Sequence, residues 1–186
     1  MDKGAELYRR FLDGDEAAFE EIMTLYRDGL ILFIDRFVRD LHAAEDISVD
    51  CFVYVLLHPK HYNFRTSLKT YLYMLGRSRA LNCLRHRRAL PLLPLDENAA
   101  DERTPEAAFL RDAQKRAVHD AIGGLPQDMQ TAVYLVYFEE LSYAEAAVVM
   151  KKKPKQVDNL LYRAKGLLRE ALGGIASLYA IQYEIG

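Results

Sequence analysis

Apolar residues along the chain recur at steps of three and four, and no segment keeps a run of strict apolar/polar alternation, so the pattern predicts an all-α protein. Phe19, Ile22, Met23, Tyr26, Leu30, Phe33 and Phe37 fall on one stripe of a helix that starts after Asp15, a suitable N-cap. A shorter helix is predicted from Ala43 to Leu57, with Ile47, Cys51 and Val55 on its apolar side and Glu45, Asp46 and Asp50 left outside; Pro59 ends it. His58 to Thr66 reads as a loop. Ser67 then caps a long helix on which Leu68, Leu72, Leu75, Gly76 and Cys83 share a face and which ends in Arg85, His86, Arg87 and Arg88.

Periodicity disappears from Ala89 to Thr104, where Pro91 and Pro94 are followed by Asp96, Glu97, Asp101 and Glu102, the composition of a linker between domains. Thr104 and Pro105 form a cap and first-turn pair for a helix reaching Gly123 and Gly124, and the pattern resumes after Leu125 and Pro126. Ser142 and Glu145 have capping-box spacing, and Pro154 can open a further helix. Helices over roughly 143–150 and 154–171, joined by a tight basic turn, make a candidate helix-turn-helix. Gly173 and Gly174 stop the second. Four segments follow: an N-terminal domain over 1–88, a linker over 89–104, a second small helical domain over 105–174 and a tail over 175–186.

Composition adds exclusions. The 186 residues are 51% hydrophobic and 28% charged, an ordinary globular profile. The longest strongly apolar stretch, Leu30 to Ile34, is far short of the roughly 18 residues of a membrane span, and the polar N-terminus has no signal-peptide pattern, so a cytoplasmic protein without membrane insertion is expected. Cys51 and Cys83 fit neither a disulfide framework nor a zinc spacing. His58 and His61 lack further ligands nearby, and no phosphate loop, nucleophile elbow or HExxH motif occurs. No metal, cofactor or enzyme activity is therefore expected.

The formal net charge of -2 argues against nucleic acid only until it is divided along the chain. Residues 1–58 hold 6 Lys/Arg against 13 Asp/Glu, whereas residues 59–90 hold 8 Lys/Arg and no acid. A second basic segment runs from Lys151 to Arg169, opposed by Asp158 alone. Clustering of this kind, more than net charge, is the footprint of phosphate binding.

In the first basic segment, cations alternate with rings: Lys60, Tyr62, Asn63, Phe64, Arg65, Lys69, Tyr71, Tyr73, Arg77 and Arg79. Phosphates attract the cations and unpaired bases stack on the rings, so the mixture suits a separated single strand. The plainer reading, equally open from the residues, makes Tyr62, Phe64 and Tyr71 core and the cations a solvated face. In the second segment, Gln156 and Asn159 stand three apart, with Tyr162 and Arg163 one turn on. Asn and Gln can make paired hydrogen bonds to adenine in the major groove, while Lys151, Lys152, Lys153 and Lys155 can position the unit on phosphates. Val157, Leu161 and Ala164 read as core; a bundle with a lysine-rich surface is the plainer alternative.

Together these pieces resemble the sigma-70 family of bacterial transcription initiation factors, in its extracytoplasmic-function (group IV) type with regions 2 and 4. The region 2 patterns are similar to Ala44-Glu45-Asp46-Ile47-Ser48-Val49-Asp50-Cys51-Phe52 and to Ser67-Leu68-Lys69-Thr70-Tyr71-Leu72-Tyr73-Met74-Leu75-Gly76. The region 4 patterns are similar to Leu125-Pro126, Glu139-Glu140-Leu141-Ser142-Tyr143-Ala144-Glu145-Ala146-Ala147 and Gln156-Val157 through Leu161, Arg163, Ala164 and Lys165. The resemblance implies a specificity subunit of RNA polymerase with no chemistry of its own.

By the same resemblance Glu45, Asp46, Asp50 and Phe52 meet the clamp helices of the largest core subunit, and region 4 meets the flap of the second. Tyr62, Asn63, Arg65, Lys69, Tyr71, Tyr73 and Arg77 open and hold the minus-ten element, and Lys153, Lys155, Gln156, Asn159, Tyr162 and Arg163 read the minus-thirty-five duplex. Many family members are held inactive by an anti-sigma factor that clamps the two domains, and a flexible linker leaves room for such closure. Val49, Tyr71 and Ser78 depart from the region 2 pattern, which weakens the residue-by-residue transfer there, and the region 4 departures at Lys151, Lys152, Asp158 and Leu160 imply altered base readout. The alternatives are a helix-turn-helix regulator that acts without core polymerase and a sigma-like chain that binds polymerase without reading promoters.

Overall fold

The computed structural model describes residues 2–89 and 113–172, and within these it is helical with no strand. Two compact units divide the chain, one on each side of Leu93 and Pro94. Most of the expected linker, the Thr104-Pro105 cap, the Gly173-Gly174 stop and the C-terminal tail lie outside the described residues.

The first unit contains α1 (Lys3–Leu12), α2 (Glu16–Val38), α3 (Leu41–Leu57), a 3-10 turn (Pro59–His61) and α4 (Leu68–Ala89). Asp15 caps α2 as its sequence position predicts, accepting from the Ala18 amide at 3.3 Å. The α2 stripe is the centre of the unit: Phe19, Ile22, Tyr26, Leu30, Phe33 and Phe37 are all buried. Each such side chain removed from water contributes about 1.5–3 kcal/mol. Gly76 lets α4 approach α2 closely, since a methyl group there would meet Leu30 Cδ1 at 2.9 Å and Ile34 Cγ1 at 3.2 Å. Arg87 ties the far end of α4 to the α2–α3 junction, donating to the Val38 carbonyl at 3.3 Å and pairing with Asp40 at 2.8 Å.

Asp40 caps α3 through the Ala43 amide at 3.1 Å, so the helix starts two residues before the position read from the sequence. Helix α1 was not predicted. Its charged residues mask two apolar anchors, Leu7 and Tyr8, which are buried.

The second unit contains α5 (Ala113–Gly123), α6 (Gln127–Val133) running into a π-helical turn (Tyr134–Phe138), α7 (Tyr143–Met150) and α8 (Pro154–Ala171). Buried Gln130 donates to the carbonyls of Gly123 at 2.8 Å and Leu125 at 2.6 Å, which fixes the break between α5 and α6. The Ser142–Glu145 capping box is formed: the Glu145 amide donates to Ser142 Oγ at 3.2 Å, and Ser142 N–H donates to Glu145 Oε2 at 3.0 Å. After Met150 the chain turns through Lys151, at φ 54°, with the Lys152 amide donating to the Ala147 carbonyl at 2.9 Å. Glycine usually fills this left-handed position, because a Cβ costs about 1–2 kcal/mol there. Val157, Leu161, Ala164 and Leu168 seat α8 on the rest of the unit, completing the helix-turn-helix.

Candidate nucleic-acid interface

The loop between the 3-10 turn and α4 is held from within. The Tyr62 hydroxyl donates to the Thr66 carbonyl at 2.8 Å, and the Arg65 amide donates to Asn63 Oδ1 at 3.1 Å. Phe64 sits between them at φ 59°, a left-handed conformation that costs on the order of 1–3 kcal/mol for a side-chain-bearing residue and needs its surroundings to hold it. Asn63 and Arg65 are exposed, Phe64 and Tyr71 half-buried. At the start of α4, Ser67 Oγ accepts from the Thr70 amide at 3.1 Å, as the expected cap requires.

Not every ring proposed for base stacking reaches the surface. Tyr62 and Tyr73 are only 3% and 1% exposed and belong to the core. Tyr62 packs edge-on to Tyr8 at 5.4 Å, Tyr73 packs on Phe33 at 5.0 Å, and burial raises the Tyr62 phenol well above its ordinary range. The exposed or half-exposed members of the set are Asn63, Arg65, Lys69, Tyr71 and Arg77, with the Lys69 ammonium 5.8 Å from the Tyr73 ring centre.

A similar division runs through α3. Phe52 is 4% exposed and lies on the inward face with Ala44, Ser48, Cys51 and Val55, so it is core and not a surface contact. Asp46 and Asp50 are exposed, and Glu45 is half-buried with His42 3.8 Å away. Between these acids runs a stripe that the sequence reading missed: Val49 at 54% exposure, Val53 at 43%, and Leu56. Its signal was present, since α3 carries apolar residues on more of its circumference than one buried face accounts for.

In α8 the expected reading face divides again. Gln156 Oε1 accepts from the Lys153 amide at 2.8 Å, closing the helix N-terminus, and Lys155 pairs with Asp158 at 2.7 Å. The Asp158 carboxylate, by that hydrogen bond and its charge, raises the Lys155 ammonium above its ordinary value. Lys152 is paired with Asp128 at 3.0 Å. Asn159, Tyr162 and Arg163 are exposed, Tyr162 to 79%, on one side of the helix and opposite its buried stripe.

Comparison with known proteins matches the same regions. The family model described as sigma-70, region 4 covers residues 115–168, which include α7 and most of α8. The RNA polymerase sigma-H factor of Pseudomonas aeruginosa is 29% identical over 183 residues, spanning 92% of this chain and 95% of the relative. The extracytoplasmic-function sigma factor SigW of Bacillus subtilis is 23% identical over 170 residues, spanning 86% and 91%. Residues 115–168 are a sigma-70 region 4 domain, in a chain similar along most of its length to extracytoplasmic-function sigma factors.

The fold of the chain agrees with that of CnrH, solved in complex with the cytosolic domain of CnrY. The TM-score is 0.67 at 19% identity, over 94% of this chain and all of that one. A Bartonella quintana sigma factor, RpoE, solved with the anti-sigma factor NepR, gives 0.61 at 19% identity over 85% and 98%. Among the described residues no group of three or more His, Cys, Asp or Glu is placed to hold a metal ion, and no helix is long and apolar enough to cross a membrane.

Proposed function

We propose that the chain is an alternative sigma factor that joins core RNA polymerase and directs it to a small promoter set. The observation that carries this reading is the presence, in one chain, of two differently built cationic surfaces. One is a ring-lined loop with exposed Asn63 and Arg65; the other is a helix-turn-helix with exposed Asn159, Tyr162 and Arg163. A loop of the first kind suits a separated strand, and a helix of the second kind suits the major groove of a duplex. A protein that only binds duplex DNA needs the second and not the first.

In this reading residues 1–88 bind core polymerase and the minus-ten element, and residues 105–174 bind the minus-thirty-five element. The exposed acids Asp46 and Asp50 and the half-buried Glu45, with Val49 and Val53 between them, meet the basic clamp helices of the largest core subunit, and the second unit meets the flap. Asn159 is the principal base reader, because Gln156 already uses its carbonyl oxygen in the helix cap. Catalysis belongs to the polymerase, in the cytoplasm. The complexes of the structural neighbours support an anti-sigma factor as a further partner.

The pairing of Lys155 with Asp158 favours one second reading, a sigma-like chain that binds polymerase without reading promoters. Reconstituted transcription separates the two. Purified protein added to sigma-free core and pooled genomic fragments is expected to initiate from a defined subset; core binding without initiation from any fragment would favour the second reading and sink the first.

A further inference from the structure

Helix α1 has no task in the reading above, yet its side chains converge on the loop that precedes α4. Tyr8 donates its hydroxyl to the Val55 carbonyl at 2.9 Å, and its ring lies 5.4 Å from Tyr62 and 6.1 Å from Phe64. The Arg9 guanidinium stands 4.9 Å from the centre of the Phe64 ring. Tyr62 closes the cluster, with its ring 4.6 Å from Phe64. Phe64 is thus held between two tyrosines and a cation at the one place in the loop where the backbone is left-handed. Its neighbours Asn63 and Arg65 are exposed.

We propose that α1 is the scaffold of the opening loop, with Phe64 a positioning residue and Arg9 the clamp that holds it. The proposal rests on the reading of this loop as the minus-ten contact. A loop ordered only on binding would spend interaction energy on its own ordering, whereas a ring locked by α1 fixes the backbone carrying Asn63 and Arg65 before the strand arrives. Neither Phe64 nor Arg9 needs to touch DNA for this. The left-handed backbone at Phe64 is retained because the ring is clamped, and the ring is clamped because Tyr8 is anchored to α3.

The test uses the full chain with core polymerase and a promoter on which the parent protein is active. Opening is followed by a fluorescent base analogue in the minus-ten element, and initial duplex binding is measured separately. Phe64→Leu and Phe64→Gly should each slow opening by about tenfold or more while the proteins remain folded and bind duplex as the parent does. Phe64→Tyr, which keeps the ring, should open near the parental rate. Arg9→Ala should slow opening in the parent but add nothing in the Phe64→Leu background, because a clamp without its ring has nothing to hold. Parental opening rates in folded Phe64→Leu and Phe64→Gly proteins would overturn the proposal. So would a fully additive Arg9→Ala effect, which would make Arg9 a phosphate contact. A parent protein that opens no promoter would instead remove the functional reading, and this proposal with it.

Discussion

The Asp2 carboxylate joins the starts of two helices that are far apart in sequence. One oxygen accepts from the Gly4 amide at 3.1 Å and caps α1, while the other accepts from the Leu68 amide at 2.9 Å at the start of α4. Both amides belong to the unpaired first turns of their helices, where a carboxylate is also favoured by the helix dipole. The helix proposed to carry the minus-ten contacts is therefore capped in part from the N-terminal end of the chain. Asp2→Ala should destabilise the first unit by about 1–2 kcal/mol, the usual range for a lost cap. Asp2→Asn should recover part of that. Urea unfolding of the three proteins checks it, and an unchanged midpoint for Asp2→Ala would contradict the double cap.

The two sides of α3 predict opposite phenotypes. Phe52→Ala removes a buried ring and should cost about 3–5 kcal/mol of stability. Val49→Asp and Val53→Asp alter exposed positions and should leave stability within about 0.5 kcal/mol while weakening association with core polymerase. Circular dichroism melts and a core-binding titration separate these outcomes. Full core binding by both aspartate variants would exclude this face of α3 as the polymerase contact.

Gln156 and Asn159 differ in what they already hold. Asn159→Ala should reduce discrimination at one minus-thirty-five position by about 1–3 kcal/mol without changing stability. Gln156→Ala should cost about 0.5–2 kcal/mol of stability, because its carbonyl oxygen serves the Lys153 amide. Its effect on base preference should be the smaller of the two. Promoter-variant binding together with thermal melts of both proteins decides the assignment.

Burial separates the thiols. Cys51 is fully buried, and burial pushes its thiol up to about 12 against a smaller opposing effect of Arg79. Cys83 is half-buried on α4. At pH 8 a disulfide reagent should therefore modify Cys83 while Cys51 reacts only on unfolding. Rapid modification of two thiols in the native protein would contradict the packing of α3.

How far the fold was legible follows from the range of the interactions involved. The α2 stripe, the Asp15 and Ser67 caps and the Ser142–Glu145 box depend on residues three or four apart, so spacing alone predicts them. Helix α1 depends on Tyr8 meeting Tyr62 and Val55, partners some fifty residues away. The π-helical turn at Tyr134–Phe138 has no pattern of its own in the chain. For the candidate site, charge clustering located both cationic segments, but it could not sort rings by depth. Tyr62 and Tyr73 share the spacing of their exposed neighbours, and only packing against Tyr8 and Phe33 turns them inward. Gln156 and Lys155 are a different case: their partners, the Lys153 amide and Asp158, lie only three residues away, so spacing carries both engagements, and assigning the two side chains to DNA overlooks them.

The proposed division of labour between the two units is tested most directly by the permanganate reactivity of unpaired thymines in the minus-ten element. With core polymerase and a responsive promoter, Arg65→Ala combined with Lys69→Ala should abolish most of that reactivity while leaving protection of the minus-thirty-five duplex. Asn159→Ala should weaken the duplex protection first, and saturating protein should restore the thymine reactivity. Equal loss of both signals in both proteins would contradict the account.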